Sequence, residues 1–208
     1  ALGDVDGDGH LDVVQGNRNQ ATRVWWNDGS GGFTDSGATL GSYYTLSVAL
    51  GDVDGDGHLD VVQGNRNQAT RVWLNDGSGG FTASATTLGS DHTYSVALGD
   101  VDGDGHLDVV QGNYDQPTRV WWNDGSGGFT DSGATLGSHA TRSVALGDVD
   151  GDGHLDVVQG NWNQATRVWL NDGSGGFTES ATLGSHATRS VALGDVDGDG
   201  HLDVVQGN

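Results

Sequence analysis

Apolar residues in this chain never form a long run; they gather in short clusters punctuated by glycine and aspartate. The stretch from Ser47 to Tyr94 holds four such clusters. Ser47-Val48-Ala49-Leu50-Gly51 predicts a short first strand, and the β-branched Leu59-Asp60-Val61-Val62-Gln63-Gly64 a second. Arg71-Val72-Trp73-Leu74-Asn75 predicts a third, with Arg71, Trp73 and Asn75 on one side and Val72 and Leu74 on the other. Asp76-Gly77-Ser78-Gly79-Gly80 has the composition of a hairpin turn, after which Phe81 opens a fourth strand running toward Leu88. Asn65 to Thr70 and Gly89 to Tyr94 are polar connections. No window carries a helical period, which makes the chain all-β.

The same succession recurs along the chain, giving units 1–46, 47–94, 95–142 and 143–189 and a half unit 190–208. A third strand apolar on both faces has to be covered on both faces. Radially packed four-stranded sheets provide that cover, so the predicted fold is a β-propeller of near-identical blades, four per chain plus an extra half. A β-sandwich or a solenoid is the second architecture, disfavoured because each unit supplies two hairpins of its own. Four and a half blades do not tile a seven-bladed ring, whereas two chains supply eight blades. Trp26, Leu74, Trp122 and Leu170 alternate at one third-strand position, and Asp35, Ala83 and Asp131 begin to alternate on the fourth, until Glu179 breaks the pattern. A ring closed by two chains with two-fold symmetry is the expected assembly.

Between the first and second strands lies the stretch Asp4-Val5-Asp6-Gly7-Asp8-Gly9-His10-Leu11-Asp12, present five times without change. Its copies begin at Asp4, Asp52, Asp100, Asp148 and Asp195, at spacings of 48, 48, 48 and 47 residues. Four carboxylates in so short a loop repel one another unless a cation neutralises them. Candidate hard-oxygen ligands are the aspartates at loop positions one, three, five and nine: Asp4, Asp6, Asp8 and Asp12; Asp52, Asp54, Asp56 and Asp60; Asp100, Asp102, Asp104 and Asp108; Asp148, Asp150, Asp152 and Asp156; Asp195, Asp197, Asp199 and Asp203. The glycines at positions four and six permit the positive φ angles of a tight wrap. His10, His58, His106, His154 and His201 are expected to contribute backbone carbonyls only, their imidazoles standing exposed. An all-oxygen set favours calcium over magnesium and over zinc, up to five ions per chain. An EF-hand is excluded: position twelve is Gln15 rather than glutamate, and no helices flank the loop.

The Asp-x-Asp-x-Asp-Gly-x-x-Asp loop between short strands, followed by Arg-Val-Trp-x-Asn-Asp-Gly-Ser-Gly-Gly-Phe, resembles the FG-GAP and VCBS-type repeats. The resemblance spans essentially the whole chain. It implies the β-propellers of integrin α subunits, some fungal lectins and many bacterial surface proteins, with calcium held by Asp4, Asp6, Asp8 and Asp12 and their counterparts. Such propellers usually have seven or eight blades, more than one chain holds here.

Charge and composition sharpen this picture. The net charge is −21, with eight arginines and no lysine, which makes nucleic acid an improbable partner. Calcium in all five loops would cancel about half of that charge. Cysteine is absent, so disulfides say nothing about compartment. No apolar run approaches membrane-spanning length, and membrane insertion is not expected. The chain lacks methionine and opens inside a repeat, as a processed product or excised fragment would. Loops that bind calcium weakly fill outside cells, which favours an extracellular or cell-surface setting.

Antiparallel strands send the acidic loop and the Gly-Ser-Gly-Gly turn to one face and the other two connections to the opposite face. Differences between units concentrate on that opposite face. One connection carries Arg18, Arg66, Tyr114 and Trp162; the other carries Tyr43 and Tyr44, His92 and Tyr94, His139 and Arg142, and His186 and Arg189. These twelve are the candidate ligand residues, for a glycan or a surface protein, set against neutral variation of exposed loops. Trp25, Trp73, Trp121 and Trp169 recur in every unit and are expected in the core, with Arg23, Arg71, Arg119 and Arg167 paired to nearby aspartates. A catalytic centre needs unlike groups converging, and near-identical units offer no unique constellation, so no enzyme is expected. The function expected is an extracellular binding or adhesion scaffold. A ligand-free structural or designed scaffold is its alternative, and a polysaccharide lyase a more distant one.

Overall fold

The computed structural model describes residues 1–208 and is all-β. In the first unit β1 (Leu2–Gly3), β2 (Asp12–Gln15), β3 (Arg18–Asn27) and β4 (Phe33–Gly51) follow in order. The second continues with β5 (Asp60–Asn65), β6 (Thr70–Asn75) and β7 (Phe81–Leu88). The third holds β8 (Thr93–Gly99), β9 (Asp108–Asn113), β10 (Gln116–Asn123) and β11 (Phe129–His139). The fourth holds β12 (Thr141–Gly147), β13 (Asp156–Asn161), β14 (Thr166–Asn171) and β15 (Phe177–Leu183), and β16 (Ser190–Gly194) with β17 (Asp203–Gly207) ends the chain.

Each unit is an antiparallel meander in chain order, its four strands paired neighbour to neighbour. The one irregularity is β4, whose early part pairs with β3 and whose last residues, Thr45 to Gly51, pair with β5. Fourth strand of one unit and first strand of the next are therefore continuous, because Tyr43 and Tyr44 stay paired with Gln20 and Arg18 instead of turning away. First strands of successive units lie side by side, β4 against β8, β8 against β12 and β12 against β16. No helix is long and apolar enough to cross a membrane.

The core is divided among the junctions between units. Val53, Val62, Val72 and Leu88 of the second unit meet Val96, Val109, Trp121 and Phe129 of the third. Equivalent sets lie at the other three junctions. Burying each such side chain contributes about 1.5–3 kcal/mol. Close approach is permitted by glycine: a Cβ on Gly51 would stand 2.8 Å from Leu107 and 2.9 Å from Leu98, so the next unit's two leucines occupy the space a side chain would need.

Polar bolts accompany the apolar contact. Asn75, Asn123 and Asn171 each donate from the side-chain amide to a backbone carbonyl of the preceding unit, Val5, Val53 and Val101, at 2.8, 2.9 and 2.7 Å. Gln111, fully buried, donates to the Leu88 carbonyl and accepts from the Trp121 indole N–H. The expected core position of the tryptophans is met at Trp121, while Trp73 and Trp169 are half-buried against the junction clusters.

Candidate metal centre

Each acidic loop is shaped by its own backbone before any ion is considered. Gly55 and Gly57, at positions four and six, have φ of +76° and +89°, the left-handed values the sequence called for. With the chain curled this way, the position-one carboxylate of Asp52 accepts from Gly55 N–H at 2.7 Å and from Gly57 N–H at 2.9 Å. Asp56 accepts from His58 N–H at 2.9 Å. The carboxylates are thus turned toward one another by local hydrogen bonds.

Ligand-competent oxygens converge within 4.8 Å in all five loops. Positions one, three and nine make the group in three of them: Asp52, Asp54 and Asp60; Asp100, Asp102 and Asp108; Asp148, Asp150 and Asp156. Positions one, three and five make it in the terminal two, Asp4, Asp6 and Asp8 and Asp195, Asp197 and Asp199. No lysine or arginine forms an ion pair with any of these groups. Burial raises the pKa of Asp54, and the adjacent Asp56 and Asp52 carboxylates raise it further; Asp102 is raised in the same way. The donor set is all-oxygen, anionic and without a cation of its own, which fits a hard divalent ion.

Position nine does more than the loop pattern indicated. Asp108 is fully buried, and its two oxygens accept from Val101 N–H at 3.0 Å and from Asn123 N–H at 2.9 Å. The carboxylate thereby ties the loop to the third strand. Burial pushes its pKa up to about 6, against the opposing pull of those two hydrogen bonds. Asp60 is held and shifted alike. In the half unit Asp203 accepts from Val196 N–H.

The loop histidines are exposed apart from the half-buried His58. In the four full units the ring lies over the hairpin turn of the same unit, where a Cβ on Gly77 would come within 2.3 Å of His58. His10 also contacts Asp8 at 3.1 Å, and that carboxylate raises the imidazole pKa. The turn itself is capped internally, Asp76 accepting from Ser78 N–H and Oγ and from Gly80 N–H.

On the opposite face the candidate ligand residues fall into groups. His92, Tyr94 and Tyr114 cluster with ring centroids 4.8–5.6 Å apart, His92 stacked on Tyr94 and Tyr114 tilted against both, and Arg142, Trp162 and Arg189 extend that group. Arg18 and Arg66 flank Tyr44, and Tyr43 lies beneath Arg71. His139 lies beside Gly137, and His186 beside Gly184, outside these stacks. The expected arginine–carboxylate pairs form for Arg23 with Asp35, Arg119 with Asp91 and Asp131, and Arg167 with Glu179. Arg71 departs from that expectation: Ala83 stands where the other units carry Asp35, Asp131 or Glu179, and Arg71 lies over the Tyr43 ring instead.

Fold and loops together define an all-β tandem-repeat protein carrying one acidic, cation-competent loop per unit. The chain belongs to the FG-GAP-like repeat family, which matches residues 4–63, 52–111, 100–159 and 148–205. No curated protein sequence matches it. Among solved structures, the computationally designed Ika8 protein aligns with a TM-score of 0.58 at 18% identity, over 94% of this chain and 55% of that one. The computationally designed Ika4 protein aligns with a TM-score of 0.52 at 17% identity, over 80% of this chain and 92% of that one. The chain thus spans about half the length of Ika8, and at these identities the likeness concerns the fold alone.

Proposed function

We propose that the chain is a calcium-clamped structural scaffold whose units are propeller blades, with no catalytic role. Convergence of three carboxylate oxygens within 4.8 Å in every loop carries this reading. Asp52, Asp54 and Asp60 and their counterparts would hold the ion, which supplies the positive charge that the loop lacks. The protein's part is to present the carboxylates together and to tie position nine into the sheet, so ion binding and folding are coupled. Affinities of roughly 10⁻⁴–10⁻³ M, usual for extracellular modules, would suit a scaffold that works outside cells. Calorimetric titration of the calcium-free chain is expected to count up to five ions per chain. A stoichiometry near zero would dismiss the clamp.

The scaffold completes itself with a second copy. Gly3, Gly51, Gly99 and Gly147 are each met by two leucines of the following unit, whereas a Cβ on Gly194 would meet nothing within 4 Å. Leu2 and Leu11, the leucines that would fill such a space, are 65% and 57% exposed at the other end. Val196 is 68% exposed, while its counterparts Val53 and Val101 are at 1%. The two end faces are the two halves of a junction already formed four times within the chain, which supports head-to-tail closure by two chains. Gly194→Trp fills the open space without straining the free chain. Light scattering is expected to give a dimer for the parent and a monomer for this variant. A parent that is monomeric in calcium at micromolar concentration rules the closure out.

A further inference from the structure

Beyond the scaffold role, we propose that the cleft lined by Tyr94, Arg142, Trp162 and Arg189 binds an oxyanion, a carboxylate or sulfate group of the kind carried by acidic saccharides. The argument starts from the arginines. Three of the eight, Arg23, Arg119 and Arg167, contact carboxylates. The other five, Arg18, Arg66, Arg71, Arg142 and Arg189, have no carboxylate within 4.0 Å, in a chain with 29 acidic residues. Each of those five rests over an aromatic ring. A stacked guanidinium keeps its edge N–H groups available, and these are the donors that grip a planar or tetrahedral oxyanion.

Two of the five converge. Arg142 lies 4.0 Å from the Tyr94 ring centroid, 4.9 Å from that of Tyr114 and 5.4 Å from that of Trp162. Arg189 lies 4.8 Å from the same indole. Two guanidiniums therefore share one ring, which attracts each of them and leaves their mutual repulsion unanswered. Arg142 Nε is buried and has no hydrogen-bond partner, an arrangement that costs free energy until an acceptor arrives. Nearby, burial and the charges of Arg66 and Arg142 lower the pKa of His92, as expected where the local field is positive.

The repeat places these residues together. Tyr94, Arg142 and Arg189 each precede the serine that opens a unit's first-strand core, at Ser95, Ser143 and Ser190. First strands lie side by side, so one sequence position becomes a row across units, and Trp162 closes the row from the connection after β13. The resulting cleft measures about 430 Å³ and opens to solvent. That size suits one or two sugar rings, with the Tyr and Trp rings as apolar walls and the arginines fixing the charged substituent. A long polyanion is disfavoured by the net charge of −21.

The test uses the full chain in calcium, followed by tryptophan fluorescence and calorimetry, with sodium sulfate, a sulfated disaccharide and its unsulfated counterpart as probes. Binding of the sulfated disaccharide, weakening with added salt and absent for the unsulfated sugar, is the expected result. Sulfate competing on its own identifies a simple oxyanion site, and failure of sulfate to compete assigns the oxyanion to a sugar; both support the proposal. Arg189→Gln, on the exposed side of the cleft, and Arg142→Gln with Arg189→Gln should weaken binding at least about tenfold. Arg18→Gln, away from the cleft, should not, and all variants should melt as the parent does. No binding of either sulfate-bearing probe, equal binding of the unsulfated sugar, or unchanged binding by the double variant that melts normally would overturn it.

Discussion

Transfer from about 10 mM calcium into chelator is expected to lower the melting temperature by roughly 15–25 °C. At ten times its dissociation constant, a ligand that binds only the folded state stabilises by about 1.4 kcal/mol per site, and five independent sites sum to about 7 kcal/mol. For a chain of this length each kcal/mol moves the midpoint by about 2–4 °C. The physical origin is the repulsion inside each loop, where Asp52, Asp54 and Asp60 bring oxygens within 4.8 Å with no cation beside them. Magnesium at the same concentration should recover less than half of the shift, because it gives up its waters reluctantly and demands stricter octahedral geometry. Differential scanning calorimetry checks both, and a calcium shift below about 3 °C would leave the loops as acidic turns.

Asp108→Ala is expected to cost about 3–5 kcal/mol even in chelator, lowering the midpoint by roughly 10–15 °C. Its two oxygens hold the backbone N–H groups of Val101 and Asn123, and the residue has no exposed surface, so water cannot take over either bond. Asp203→Ala, in the half unit, loses one such bond in a partly open setting and should cost about 1 kcal/mol. Asp108→Asn separates the two duties of the residue. It keeps an acceptor for one of the two N–H groups, turns an NH2 donor toward the other, and removes a buried charge whose pKa is pushed up to about 6, so in chelator it should restore only part of the loss. In calcium it should remain destabilised, having lost an anionic ligand. Asp108→Ala melting within about 2 °C of the parent in chelator would show that the hydrogen bonds do not anchor the loop.

The acidic loops were legible as sequence because each is a local device. Nine consecutive residues contain the carboxylates, the glycines that let the chain curl and the spacing that turns the oxygens inward. The strands were legible for the same reason: predicted second, third and fourth strands fall on Asp60–Asn65, Thr70–Asn75 and Phe81–Leu88. Asn123 and Gln111 went unnoticed as structural residues, although both recur in every full unit. Their partners are in another unit, at the Val53 and Leu88 carbonyls, and nothing in the residues themselves marks a buried amide. Arg71 escapes the expected pairing with a nearby aspartate because Ala83 stands where the other full units carry an acid.

By itself, then, the amino-acid sequence determined the repeat, the four-strand order within a unit and the carboxylate loop, all set by contacts between residues close along the chain. Tertiary structure alone decided which faces meet. Whether Gly194 stands open and whether Arg142 and Arg189 share the Trp162 ring depend on how successive sheets stack. Those are contacts between units, and their geometry arises from packing rather than from any pattern the chain displays locally.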